Sequence, residues 1–340
     1  MSKPVVLSAP DPRSLDLIFT QPDREKLHAT YDVQEVTPLE INSLPAKTLS
    51  QTRYVIGQPP LSQSTLTKMC NLRCIFNVES NLINNMPYNY LFEQGIHVVT
   101  TGAVFAEPVA ELGLAMALCL ARDVAAADVA FQQGREQWGG AGNQTAQLLS
   151  RSKIGIIGFG DLGRALARLL EGFRAEISVF DPWLPPSVLR DGGVHAVPLD
   201  EILRQSDTIF VVASVTQENR GFLNAACFAK MRKGARFILL SRADVVDFGD
   251  LIAAVRSGHI VAASDVFPQE PMSADHEVRR LKGFLRSAHR AGALDSAFKQ
   301  MGEMVLEDMA LLDQGLPPMC CKRAERETVS RLQSKPVTTN

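Results

Sequence analysis

Between residues 153 and 181 the chain changes its hydrophobic period twice. Positions 153–157, KIGII, are a short β-branched run, and 176–180, EISVF, are a second. Between them Leu162, Ala165, Leu166, Leu169 and Leu170 recur at the spacing of one helix face. The pattern predicts strand, helix, strand.

Shorter versions of the same alternation run through the rest of the chain. Apolar runs at 5–7, 53–56, 74–78 and 96–100 predict strands, with helical stretches between them such as 64–69. After residue 181, helices at 199–205, 225–231 and 248–256 alternate with apolar strands at 208–213, 236–240 and 260–266, and 284–288 adds a last short strand. Strands that are apolar throughout belong to parallel sheets covered on both faces. The expected class is therefore α/β, with two doubly wound parallel-sheet domains. The alanine-rich stretch 105–131 predicts one long, largely buried helix linking them. Residues 132–152, rich in glycine and glutamine, read either as a connecting arm or as a surface that pairs with another subunit. A final helix at 294–312 is stopped by Gly315-Leu316-Pro317-Pro318. The polar tail, 319–340, is expected to pack only loosely. Residues 1–120 with 293–340 are expected to form one domain, and 121–292 a second domain inserted into it.

Composition narrows the classes. The chain has 340 residues, 46% apolar and 21% charged, with a net charge of −2. That balance gives no electrostatic footprint for nucleic acid or an anionic membrane, so neither partner is expected. The N-terminal stretch lacks a signal-peptide core, and the apolar run 112–121 is short for a membrane span, so a cytoplasmic location is expected. The six cysteines show no disulfide framework and no zinc-ligand spacing, and no metal is expected. Cys320 and Cys321, adjacent near the tail, are expected to be prone to oxidation.

The first strand ends at Gly158-Phe159-Gly160-Asp161-Leu162-Gly163, a G-x-G-x-x-G that opens the helix. Gly158 permits the tight turn, Gly160 lets backbone approach a pyrophosphate, and Gly163 lets helix and strand pack closely. The helix N-terminus carries N–H groups and positive potential toward the phosphates. Asp181 closes the second strand, where a carboxylate accepts from a ribose diol and repels a 2′-phosphate. Strand, glycines, helix, strand and acid in this order predict a dinucleotide site and favour NAD.

An enzyme using such a cofactor needs a proton donor and a cation for the substrate near strand ends. Arg242, Asp265, Glu270 and His289 occupy such positions. Taken with GIHVVT from Gly95, VAELGLAMALCLAR from Val109, TQENRGFLN from Thr216, SRADVVD from Ser241, SDVFPQEP from Ser264 and SAHRAG from Ser287, the chain resembles the D-isomer-specific 2-hydroxyacid dehydrogenases. The resemblance implies a Rossmann-type NAD domain inserted into a flavodoxin-like substrate domain, usually in a homodimer. It implies hydride transfer between NAD(H) and C2 of a small 2-oxo or 2-hydroxy acid. Arg242 would bind the substrate carboxylate, His289 would exchange the proton, and Glu270 would orient the ring and stabilise its imidazolium form. Asp265 would hold the nicotinamide, with Ala213 and Ser214 also lining the cofactor. Backbone N–H groups at Glu79, Ser80 and Asn81 would grip the substrate carboxylate. Departures lie at 79–81, where relatives carry glycines, at Ala243, and at Arg290 beside the histidine. The alternative is an NAD-binding sensor or corepressor-like interaction protein with little turnover.

Overall fold

The computed structural model describes residues 3–79, 82–216 and 218–331. Ser80 and Asn81, both expected at the substrate, lie outside the described residues. Strands β1 (Val5–Ala9), β2 (Asp32–Glu35), β3 (Thr52–Gly57), β4 (Cys74–Asn77), β5 (His97–Thr100), β6 (Lys153–Ile157), β7 (Glu176–Phe180), β8 (His195–Ala196), β9 (Thr208–Val211), β10 (Arg236–Leu239), β11 (Val261–Ser264), β12 (Phe284–Arg286) and β13 (Lys322–Arg323) form two sheets. They divide between two compact units, 1–105 with 293–340, and 106–292.

The first unit holds the six-stranded sheet, in the order β13-β5-β4-β3-β1-β2. All its pairings are parallel except β13, which runs antiparallel to β5. Both faces are covered. Val6, Tyr54, Phe76 and Val99 pack with Met301, Val305 and Met309 of helix Asp295–Asp313, while Leu7, Val55, Ile75 and Val98 pack on the opposite face. This burial on both faces is why these strands read as unbroken apolar runs. At the end of β3, Gly57 has φ +124°, and a Cβ there would sit 1.9 Å from the carbonyl oxygen of Ala9. Only glycine lets the ends of β1 and β3 come this close.

Helix Asp295–Asp313 is tied to the sheet by its last carboxylate. Asp313 accepts from Tyr31 Oη at 2.5 Å and Tyr54 Oη at 2.6 Å, and pairs with Arg53 Nε at 2.8 Å. Burial, together with this carboxylate, pushes both phenols well above their ordinary range.

The second unit holds the seven-stranded sheet, in the order β12-β11-β10-β9-β6-β7-β8, with every pairing parallel. The order reverses between β6 and β9, which puts a crevice at their carboxyl ends. The helix predicted at 105–131 is two helices, Ala106–Arg122 and Val124–Gln132. Asp123 breaks it with a left-handed φ of 56°, a conformation that aspartate tolerates better than most residues. Its first half packs on helix Asp161–Leu170 and on β10 and β11. The first boundary between units therefore falls at 105/106 and not at 120/121. With the turn before it, Gly102–Arg122 makes a 21-residue helical stretch that is long and apolar enough to cross a membrane, longer than the run at 112–121 suggested. The second half buries no residue, against the expectation of a largely buried helix.

The tail also departs from expectation. Residues Lys322 and Arg323 pair with β5, and Arg326–Arg331 is helical. The fully buried Asp308 accepts the backbone N–H groups of Met319 at 2.7 Å and of Cys320 and Cys321 at 2.8 Å. Three donors converging on one carboxylate fix a segment that hydropathy alone leaves unassigned. Burial and the neighbouring carboxylates of Glu307 and Asp308 push the Cys320 thiol up to about 12. Burial and Asp308 push Cys321 higher still. The thiolate is the form that oxidises, and both shifts run against its formation.

Replacing Asp308 with alanine takes the acceptor from three donors, one buried and two part-buried. We expect Asp308→Ala to lower the unfolding free energy by roughly 2–4 kcal/mol. A urea titration giving a loss under about 0.5 kcal/mol would show that the tail is held by something else.

Candidate active site

The glycine turn has the geometry its sequence predicts. Gly158 adopts φ +94°, and a Cβ there would lie 2.7 Å from the Cα and N of Ala213. Ala213 and Ser214 follow β9, so the crevice between β6 and β9 is lined by the two segments expected at the cofactor. A Cβ on Gly163 would sit 2.4 Å from the Gly158 carbonyl oxygen, so the helix can pack this tightly only without one. Nothing lies within 4 Å of a Cβ built on Gly160, leaving open space beside the backbone where a pyrophosphate must approach. Gly160 caps the ten-residue helix Asp161–Leu170 without a side chain, and Asp161 and Leu162 form its first turn. The residues present fit a dinucleotide.

Asp181 has a second role that spacing did not reveal. Its carboxylate accepts the Phe159 N–H at 2.8 Å, and the N–H groups of Trp183 at 3.0 Å and Leu184 at 3.3 Å. It therefore braces the turn; the ribose contact is an implication of the sequence pattern. Arg164 stacks over the ring of Phe159, 5.0 Å from its centroid.

The reacting groups expected in this unit come together at the carboxyl ends of β10, β11 and β12. His289 Nδ1 lies 2.5 Å from Glu270 Oε2. Glu270 Oε1 accepts the Phe267 N–H at 2.8 Å. Burial alone would raise the Glu270 pKa, but the hydrogen bonds from His289 and Phe267 and the charges of His289 and Arg242 hold it below its ordinary value. An ionised carboxylate can only accept, so Nδ1 carries a proton and Nε2 is the atom left for substrate. The linkage follows in sign. A depressed carboxyl pKa contributes stability that is present above the unfolded value and lost as pH falls through the folded one. The Glu270 carboxylate is thus ionised at neutral pH, and its contribution is lost in acid.

Asp265 is 1% exposed, and its two carboxylate oxygens accept the N–H groups of Arg290 and Ala291, each at 3.1 Å. Its carbonyl oxygen accepts the His289 N–H at 2.7 Å. The work the structure shows for Asp265 is on the histidine turn; the nicotinamide contact is an implication of resemblance. Arg242 Nη1 donates to the Ser241 carbonyl at 2.7 Å, which curls the guanidinium back over its own strand end. The Arg290 side chain is exposed.

The sequence model of the D-isomer specific 2-hydroxyacid dehydrogenase, NAD binding domain, matches residues 114–291. The chain belongs to this family. It is an NAD-dependent oxidoreductase acting on 2-hydroxy acids. A glyoxylate reductase of Korarchaeum cryptofilum is 30% identical over 240 residues, 69% of this chain and 72% of that protein. A D-3-phosphoglycerate dehydrogenase of Archaeoglobus fulgidus is 28% identical over 236 residues, 44% of its length. The crystal structure of a phosphoglycerate oxidoreductase from Rhizobium etli superposes with a TM-score of 0.92 at 63% identity, covering 96% of this dehydrogenase and all of that chain.

The first unit holds an ion pair that residue spacing did not reveal. The Glu79 carboxylate pairs with Arg13 Nε at 2.9 Å and accepts from its Nη2 at 3.1 Å. Its backbone N–H, expected to grip substrate, donates to Asn77 Oδ1 at 2.9 Å. An arginine just past β1 and an acid just past β4 were the available signal, but that the sheet sets those ends two strands apart, across β3, is not in the sequence.

Removing the Asp181 charge should weaken the cofactor and loosen its turn together. We expect Asp181→Ala to lower NADH affinity roughly 10- to 100-fold, the worth of a charge-assisted hydrogen bond, and to narrow the gap to NADPH. Fluorescence titration showing unchanged NADH affinity would remove Asp181 from the site.

Proposed function

We propose that the dehydrogenase reduces a short 2-oxo acid, of glyoxylate to phosphohydroxypyruvate size, with His289 as the proton donor. The observation that carries this is the 2.5 Å contact between His289 Nδ1 and an ionised Glu270, with the charge of Arg242 close enough to act on the same carboxylate. NADH, when bound, supplies the hydride. Nε2 of the imidazolium gives its proton to the substrate oxygen, and the ring becomes neutral. Glu270 holds Nδ1 and so keeps Nε2 directed for that transfer. Arg242 holds the substrate carboxylate through charge-assisted hydrogen bonds. In the reverse direction the neutral ring takes the hydroxyl proton. The names of the glyoxylate reductases and phosphoglycerate dehydrogenases among its relatives support the substrate size.

We further propose a cytoplasmic homodimer with no nucleic-acid or membrane partner. Val124, Val129, Phe131, Trp138 and Leu148 are all half or more exposed on one stretch of the second unit. Phe131 and Trp138 meet edge to face with centroids 6.3 Å apart. An exposed apolar surface of this kind supports a subunit contact. The cysteine spacing without a disulfide framework and the net charge of −2 are the sequence features that support this reading.

Three variants test these readings. His289→Ala should lower kcat for NADH-dependent reduction by about 10²- to 10⁴-fold, with NADH affinity little changed, and Glu270→Gln should move the pH profile of reduction downward because an amide no longer stabilises imidazolium. An unmoved profile in Glu270→Gln would break the pairing. Sedimentation of Trp138→Glu should show monomer where the parent sediments as dimer; a dimeric variant would place the contact elsewhere.

A further inference from the structure

The carboxyl edge of the six-stranded sheet has the properties of a binding edge on its own account. Its strand order turns from β2 and β1 to β3, β4 and β5, so the topological switch lies between β1 and β3, where ligands of open α/β sheets bind. Buried oxygens at this edge make no hydrogen bond within the described residues. They are Ser8 Oγ on β1, Gln58 Oε1 just past β3, Asn85 Oδ1 in the loop after β4, and Thr101 Oγ1 just past β5. Ser8 is 2% and Thr101 0% exposed. Buried polar atoms are nearly always satisfied, and orphans gathered at one edge point to a polar ligand.

The charge of that edge is set by one pair. In the loops 10–14, 36–45, 58–62, 78–87 and 101–105, Arg13 is the one basic residue, against Asp11, Glu40 and Glu79. Arg13 is not available as a surplus cation. Its Nε also donates to the Val78 carbonyl at 3.0 Å, and its guanidinium lies over the Phe298 ring at 4.7 Å and the Phe105 ring at 5.7 Å. Both partners of the ion pair keep only 15% of their side-chain surface exposed. Two charges so enclosed interact far more strongly than a surface pair, and neither can swing away to meet a ligand.

We propose that the Arg13–Glu79 pair is a specificity determinant: Arg13 neutralises Glu79 so that a mono-anionic 2-oxo acid can bind at this edge, while leaving no positive charge for a phosphate. The inference rests on the reductase reading above and names its substrate class. Glu79 is the group that discriminates by charge, and Arg13 is a positioning residue acting through it. An unneutralised Glu79 would repel any anionic substrate. A Glu79 made neutral would turn Arg13 into a cation open to a second anionic group.

The test is a charge cycle on the full-length enzyme. Arg13→Gln, Glu79→Gln and the double variant are assayed with NADH on hydroxypyruvate and on its phosphorylated counterpart. Arg13→Gln should lower kcat/KM for hydroxypyruvate at least tenfold, through KM, with kcat within threefold of the parent. Adding Glu79→Gln should restore KM to within threefold. Glu79→Gln alone should shift the ratio of kcat/KM toward the phosphorylated acid at least tenfold. A double variant as impaired as Arg13→Gln would make Arg13 merely structural and overturn the proposal, as would an unmoved ratio in the isosteric Glu79→Gln. A parent that reduces neither acid would overturn the reductase reading and this inference together; an active parent with charge-blind variants would overturn this inference alone.

Discussion

The acid–base site depends on one buried carboxylate, that of Asp265. His289 sits at φ 49°, in the left-handed region, where a residue with a Cβ carries a cost of order 1–3 kcal/mol. It stays there because Asp265 over-determines the turn, accepting the His289 N–H on its carbonyl and those of Arg290 and Ala291 on its side chain. Upstream, the Ser287 N–H bonds the Ser264 carbonyl, continuing the ladder between β11 and β12 toward that turn. The imidazole is thereby aimed before Glu270 touches it. Glu270 then needs only to hold Nδ1, and it does so while anchored itself by the Phe267 N–H. Orientation comes from the backbone, and charge from the pair.

This division explains which parts of the molecule could be read in advance. The long central strands were legible because burial on both faces makes them apolar without interruption. Strands β2, β8 and β13 were not, because they lie at or near sheet edges and carry exposed residues with no apolar alternation. The helix break at Asp123 depends on one residue's φ, which an alanine-rich period cannot register. The glycine turn was legible down to single positions: a specific close approach requires Gly158 and Gly163, and Gly160 leaves open space beside the backbone. The identities of Arg242, Glu270 and His289 were visible as strand-end residues. The second role of Asp181 and the grip of Asp265 on the histidine turn were not, since both are hydrogen bonds to backbone, and backbone carries no letter.

The carboxyl edge of the six-stranded sheet shows the same limit from the other direction. Glu79 was visible as a departure from glycine, and its backbone N–H was expected to meet substrate. The structure commits that N–H to Asn77 and gives the side chain to Arg13, 66 positions earlier in the chain. The departure at 79 is thus intelligible only with its partner. A glycine replaced by a charged residue at such a position would spoil an anion site; a glycine replaced by one half of an enclosed ion pair need not.

A net charge of −2 says little about where the acids are employed. Asp308 accepts three N–H groups of the tail, Asp181 three around the cofactor turn, Asp265 two at the histidine turn, and Glu270 one besides its ring contact. Each satisfies backbone donors in irregular segments that have no sheet or helix partner to satisfy them. Regular elements supply the rigid scaffold, and the segments that carry chemistry leave it at strand ends. A short carboxylate is the side chain best suited to gather several donors there. The residues that fix the site are therefore drawn from the same acidic pool that composition counts as surface charge.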